Sequence, residues 1–202
     1  MDKAIALLSG GIDSPVAIHL MQHKVEIIAA HFHQKPLTDG QEIEKCKELL
    51  KILNVQKLYL VPFAEVLKML VDKCQHKNYY ILQKIVMMKA AELIAQKENA
   101  KYLITGENLA QVSSQTLSNL SNITKNINLE IFRPVLTFDK QEIIDKAKSI
   151  GTYEISSGPE MCNLLGPKRP ATKSKLETVN SELENLDLSL LQKVVDQAEI
   201  IQ

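Results

Sequence analysis

The chain has 202 residues, 45% of them apolar, enough to bury one core as a single domain without borrowing a partner. Its 24 basic and 24 acidic residues give a formal net charge of zero, which excludes the global field of a general nucleic-acid binder, so any RNA contact must be local or shared with a partner. Cys46, Cys74 and Cys162 are widely spaced and odd in number, which argues against a disulfide framework and a CxxC motif, and no apolar run has the length of a membrane span, so a soluble cytoplasmic protein is expected.

Residues 4–8 form an apolar run of strand length. Ser9-Gly10-Gly11-Ile12-Asp13-Ser14 closes it, and residues 15–23 carry a helical pattern, so the chain opens as strand, glycine turn and helix. Paired glycines permit left-handed torsions and a close ligand, while a helix N-terminus offers unpaired N–H groups under a partial positive charge. A phosphate suits such a nest. Without a ligand, the same turn reads as a strand-to-helix connection capped by Asp13 or Ser14. A Walker A loop is excluded, because its GxxxxGK[ST] pattern needs a lysine that is not present here.

Runs at 25–32, 57–61 and 101–105 read as further strands, and another is expected at 129–134. Helical patterns separate them. Residues 39–53 carry Ile43, Cys46, Leu49, Leu50 and Leu53 at helical spacing, and residues 79–95 carry Ile85, Met88, Ala91, Leu93 and Ala95. A helix over 139–150 is stopped by Gly151. The alternation predicts an α/β fold, a Rossmann-like parallel sheet covered on both faces, with ligands at the carboxyl ends of the strands. From 152 to 175, Gly158, Pro159, Gly166, Pro167 and Pro170 predict a long loop. Residues 174–202 regain a helical period through Leu183, Leu186, Leu190, Leu191, Val194 and Val195, which predicts one or two amphipathic helices. The expected division is a catalytic domain over 1–172 with a C-terminal helical extension over 173–202.

SGGIDS resembles the PP-loop of enzymes that grip the pyrophosphate of ATP and transfer AMP to an oxygen nucleophile. The resemblance implies an ATP pyrophosphatase-type domain. Backbone N–H groups at Gly10 and Gly11, with the hydroxyls of Ser9 and Ser14, hold the β and γ phosphates, while Asp13 holds a magnesium ion. The α-phosphate then stays open to attack.

The stretch 105–120 (TGENLAQVSSQTLSNL) is dense in amides and hydroxyls directly after a predicted strand. Composition alone reads it equally as a capping turn before a polar surface helix. Its residue order, with residues 8–17, His31-Phe32-His33, Arg133-Pro134, residues 139–144 and Pro159-Glu160-Met161-Cys162, resembles the catalytic domain of ThiI-type tRNA 4-thiouridine synthetases. In that family ATP activates O4 of a tRNA uridine and a persulfide sulfur displaces AMP; some members also serve thiamine biosynthesis. The resemblance implies backbone contacts to the nucleotide from Leu7, Leu8, Phe32 and His33, a pocket completed by Gly106 and Gln115, and Lys84 where the family commonly has an arginine. An Arg-to-Lys exchange replaces a planar fork by a point charge.

By the same resemblance Cys162 is the sulfur-relay cysteine, set in the expected loop beside Lys168 and Arg169, where a thiolate is partly stabilised. Cys46 falls on the apolar face of a predicted helix and is expected in the core. Cys74 stays open between packing and chemistry, and three cysteines also leave an iron–sulfur cluster open. Neither a rhodanese-like domain nor the family's tRNA-gripping THUMP region is found in the sequence. Lys168, Arg169, Lys173 and Lys175 form its only concentrated basic stretch, which reads otherwise as a solvated loop. The expected partners are therefore tRNA, a separate THUMP-type protein, a persulfide or sulfide donor, and a second copy pairing through the C-terminal helices. A PP-loop ligase acting on a small molecule and a non-catalytic nucleotide-binding module are the alternatives.

Overall fold

The computed structural model describes residues 1–109, 111–158 and 165–202; Cys162 lies outside the described residues. In chain order the elements are β1 (Lys3–Leu7), α1 (Asp13–Met21), β2 (Glu26–His33), α2 (Gln41–Ile52), β3 (Leu58–Pro62), α3 (Ala64–Lys73), α4 (Tyr79–Glu98), β4 (Tyr102–Ile104) and α5 (Leu117–Thr124). Then follow β5 (Glu130–Phe132), α6 (Lys140–Ser149), α7 (Tyr153–Ser156), α8 (Leu176–Glu184), α9 (Ser189–Asp196) and β6 (Glu199–Ile201). The sheet order is β5-β4-β1-β2-β3-β6, and the first five strands are parallel. This is the expected Rossmann-like α/β architecture.

Alternation along each strand divides the core. Ile5, Ile28, Ala30 and Phe32 face the cluster built on α4, whereas Ala4, Ala6, Ile27 and Ala29 face Val16, Ala17, Cys46 and Leu49 of α1 and α2. Because both faces are covered, the central strands are apolar on both faces along most of their length, from Ala4 to Leu7 in β1 and from Ile27 to Ala30 in β2. Helix α4 crosses the interior with Ile81, Leu82, Ile85, Val86, Met88 and Ala91 all fully or nearly fully buried, and Asn99 ends it at φ 55°. Gly151, at φ 77°, follows α6 as expected.

Four features depart from the sequence reading. Helix α3 was not expected, although Phe63, Val66, Leu67 and Leu70 recur at helical spacing and are all buried. The loop after Gly151 contains the helical turn α7. Strand β6 runs antiparallel to β3, Leu58 pairing with Ile201, and so covers that edge. The apolar stripe of the tail is buried within this chain, not held out for a second copy: Val179, Leu183, Leu186, Leu191, Val194 and Val195 join the α4 cluster.

Helix α5 is not a polar surface helix either. Asn119 is 0% exposed, donating from Nδ2 to the carbonyls of Ser113 (2.7 Å) and Ala171 (3.0 Å) and accepting at Oδ1 from Ser174 N and Oγ. Asn122 donates to Ser174 O and Oγ, both at 2.9 Å. Asn119→Ala leaves several buried groups unpaired at once and is expected to cost about 1–3 kcal/mol, read as a lower urea midpoint at constant slope. An unchanged midpoint overturns that assignment.

Candidate active site

In this sheet β1 leads outward through β2 and β3 on one side, while β4 and β5 lie on the other, so the strand order reverses at the β1–β4 pair. Ligands of open α/β sheets bind at the carboxyl ends of strands at such a switch point. The loops leaving β1 and β4 meet there.

After Leu7 the chain turns directly into α1. The N-cap position is Ile12, with no side-chain cap, so neither Asp13 nor Ser14 stands at the N-cap, and the start of α1, where an anion would be favoured, faces the cavity side of the turn. Ser14 instead turns back: its Oγ accepts from Ser9 N at 2.9 Å and lies 3.0 Å from Ser9 Oγ. Left-handed torsions are not used here. Among the described residues the glycines with positive φ are Gly40 and Gly151, and a Cβ on Gly10 would meet only the Lys45 side chain, at 3.3 Å.

Gly106, next to the end of β4, closes on this loop. A Cβ on it would stand 2.6 Å from Ser14 N and 2.8 Å from Asp13 C. The neighbouring Glu107 is 1% exposed and gathers three elements: Arg133 Nε donates to its Oε2 at 2.7 Å, Lys84 Nζ of α4 lies 3.4 Å from its Oε1, and Thr105 Oγ1 donates at 3.2 Å. Burial pushes the Glu107 carboxyl up, but the charges of Lys84 and Arg133 outweigh it and hold the group below its ordinary range. Lys84 is thus held at the cavity wall by a carboxylate, an arrangement that its sequence position did not reveal.

A cavity of about 230 Å³ joins the two loops. Of the residues implied by resemblance, Leu7, Leu8, Ser9, Gly11, Asp13, Ser14, Phe32, Lys84, Gly106 and Gln115 line it; Gly10 and His33 do not. The His33 carbonyl accepts from Phe63 N at 2.9 Å, tying β2 to β3. Its half-buried ring is held below the ordinary histidine range by burial. Gln115 lines the cavity, is 8% exposed, and its buried Oε1 has no hydrogen-bond partner.

The wall residues that the sequence reading missed are chiefly apolar, Phe63, Leu67, Met87 and Met88, with Gln83 and His31. Strand alternation places His31 on the inward face of Ile27 and Ala29, the one signal that could have found it. Its Nδ1 lies 3.0 Å from the Leu8 carbonyl, which can only accept, so the proton sits on Nδ1; burial holds the ring below its ordinary pKa and therefore neutral. A wider groove of about 820 Å³ opens at the amino ends of the strands around Lys3, His23, Lys57 and Glu98, but it gathers none of these residues.

Cys46 is fully buried beneath the first loop, its Sγ 3.9 Å from the Leu8 carbonyl, and belongs to the core as expected. Cys74 is half-buried, and burial first, then the charge of Glu182, push its thiol up to about 11, which leaves little thiolate near neutral pH. Among the described residues no group of three His, Cys, Asp or Glu side chains has the placement of a metal site. No described helix is long and apolar enough to cross a membrane.

This chain is 43% identical to a probable tRNA sulfurtransferase of Caldanaerobacter subterraneus subsp. tengcongensis over 98% of its own length and 53% of the relative's. It is 42% identical to one of Thermus thermophilus, over 88% and 45% respectively. The chain spans about half the length of the curated relatives it matches. A crystal structure of a 4-thiouridine synthetase–RNA complex with bound ATP superposes on all of this chain and 55% of that one, at a TM-score of 0.92 and 35% identity. An NH3-dependent NAD synthetase from Campylobacter jejuni, at 15% identity and a TM-score of 0.59 over 97% of this chain and 84% of that one, shares the fold alone. The family model for the thiamine biosynthesis protein ThiI matches residues 1–188, and the chain belongs to that family, with the PP-loop ATP pyrophosphatase fold.

Proposed function

We propose that this chain is the catalytic part of an ATP-dependent tRNA sulfurtransferase that converts a uridine to 4-thiouridine. The observation that carries the reading is the cavity in which the first loop and the stretch after β4 meet, Gly106 packed against the backbone of Asp13 and Ser14. Its apolar wall of Phe32, Phe63, Leu67 and Met88 suits a base, and the unpartnered Oε1 of Gln115 suits a donor on the nucleoside. The uncapped start of α1, with Ser9, Gly10, Gly11 and Ser14, suits the β and γ phosphates. Magnesium takes one or two carboxylates and completes its shell with phosphate and water, so Asp13 alone is a sufficient protein ligand.

In the reaction, uridine O4 attacks the α-phosphorus of ATP and pyrophosphate leaves. Sulfur then attacks C4 and AMP leaves with the C–O bond electrons. Sulfide gives 4-thiouridine directly. A persulfide on Cys162 gives a mixed disulfide, which a thiol co-reactant reduces to release the product. Residues 1–172 carry the chemistry and 173–202 support it from the α4 side. The setting is the reducing cytosol, tRNA is delivered with a separate THUMP-type protein, and any second copy pairs through a surface other than the buried stripe of α8 and α9.

The test is in vitro thiolation of tRNA, with nucleosides read by mass spectrometry. ATP-dependent 4-thiouridine is expected from wild type with sulfide or persulfide, and from Cys162→Ala with sulfide alone. No 4-thiouridine from wild type under either donor, with a THUMP-type protein supplied, sinks the reading. Capture of tRNA by the chain alone at physiological salt sinks only the need for that protein.

A further inference from the structure

The basic stretch singled out in the sequence is not a loose loop. Residues 165–175 run as a strap beside the cavity, fixed at both ends. At one end His76 Nε2 lies 2.8 Å from the Leu165 carbonyl, and Gly166 is packed so closely on Tyr80 that a Cβ there would overlap the ring and hydroxyl. Tyr80 stands one helical turn before Lys84 of the cavity wall. At the other end Ala171 N donates to Lys77 O at 2.8 Å, Thr116 Oγ1 donates to Thr172 O at 2.7 Å, and buried Asn119 holds both Ala171 O and Ser174 N. Thr116 directly follows Gln115, so the strap is tied to the stretch that builds the cavity.

Between these anchors Pro167 and Pro170 restrict the backbone on either side of Lys168-Arg169. Lys168, Arg169, Lys173 and Lys175 are all exposed, and none forms an ion pair with a described residue. In a chain whose charges balance overall, four cations on one strap, without an ion-pair partner among the described residues, make a local positive field. Lys77, also exposed, adjoins it through the Ala171 bond. The four are strung along a strap that can reach at most roughly 25 Å, not converged in a pocket, so they match a row of phosphates better than a single anion.

We propose that residues 168–175 are a phosphate-docking ledge for the RNA substrate, placing the backbone of a polynucleotide beside the nucleotide cavity. The proposal rests on the RNA-modifying reading above. Lys168, Arg169 and Lys173 position the strand, and sequence is not read there.

The test is fluorescence anisotropy of labelled tRNA against potassium chloride concentration, starting from low salt. It compares wild type with a variant carrying Lys168→Ala, Arg169→Ala and Lys173→Ala, and with a charge-preserving variant carrying Lys168→Arg, Arg169→Lys and Lys173→Arg. The alanine variant is expected to bind less tightly, with a log–log salt slope shallower by about 2–3, at roughly 0.7–0.9 per phosphate lost. Its ATP affinity and thermal midpoint should stay unchanged, and the charge-preserving variant should keep the wild-type slope. An unchanged slope in the alanine variant, or stronger wild-type binding to anionic lipid vesicles than to tRNA, overturns the ledge. Thiolation by wild type keeps the two readings apart: retained with an unchanged slope, only the ledge fails; absent, the enzymatic reading itself fails.

Discussion

Gly106→Ala is expected to weaken ATP binding by tenfold or more, at least about 1.4 kcal/mol, and to lower the thermal midpoint. The cause is steric. The added Cβ would stand 2.6 Å from Ser14 N, 2.7 Å from Ser14 Cα and 2.8 Å from Asp13 C, all backbone atoms of the turn into α1. Neither side can retreat easily, because β1 and β4 are paired from Ala4 with Tyr102 to Ala6 with Ile104, and Ser14 is itself 6% exposed. Overpacking of this kind costs about 1–3 kcal/mol and displaces the loop on which the phosphates depend. Gly10→Ala is the contrast. Its Cβ meets the flexible Lys45 side chain at 3.3 Å, so the stability loss should be far smaller. Calorimetric titration with ATP and thermal unfolding of both variants decide the point; wild-type affinity in Gly106→Ala would remove the close approach from the account of the site.

The contrast shows which parts of the site were legible in the sequence. The first loop was, because strand, glycine turn and helix follow one another within about twenty residues and each has a local signature. That Gly106 faces Ser14 was not, since no local rule brings residues so far apart in the chain together; the resemblance of 105–120 placed it in the pocket without giving the reason. The torsional reading of Gly10 and Gly11 went astray for a related reason. Glycine pairs serve for left-handed torsions or for room, and only the fold shows which.

Elsewhere the long, periodic segments were read well. Helix α4 and the parallel strands follow from apolar patterns that burial on two sides demands. Helix α3 was missed although Phe63, Val66, Leu67 and Leu70 carry the period, and β6 was missed because three residues after a helix give no strand signal of their own. Its pairing with β3 is a tertiary fact. The asparagines of α5 were invisible for the same reason: Asn119 and Asn122 look like surface residues until the 171–174 segment is laid over them.

Glu107→Gln is expected to destabilise the fold by about 3 kcal/mol, toward the lower end for breaking a buried ion pair because Lys84 remains 31% exposed. The amide keeps the shape of the side chain but leaves Arg133, 12% exposed, and Lys84 without their ion-pair partner among the described residues. The acid response should change with it. The folded-state pKa of Glu107 lies below its ordinary value near 4.5, so its charged form stabilises the fold above that value, and this contribution is lost as pH falls from there through the folded pKa. Wild-type stability should therefore fall in that window, whereas Glu107→Gln, lacking the titration, should follow a flatter curve. Pairing the change with Lys84→Gln removes one orphaned cation, so the double variant should be more stable than the sum of the two single losses allows. Function divides differently: a Lys84 released from Glu107 no longer has a fixed place at the cavity wall, so ATP affinity should drop in Glu107→Gln and should not return in the double variant. Urea titrations between pH 3 and pH 7, with ATP titrations at neutral pH, separate the two roles; strict additivity with a parallel acid limb would make the carboxylate a bystander to both cations.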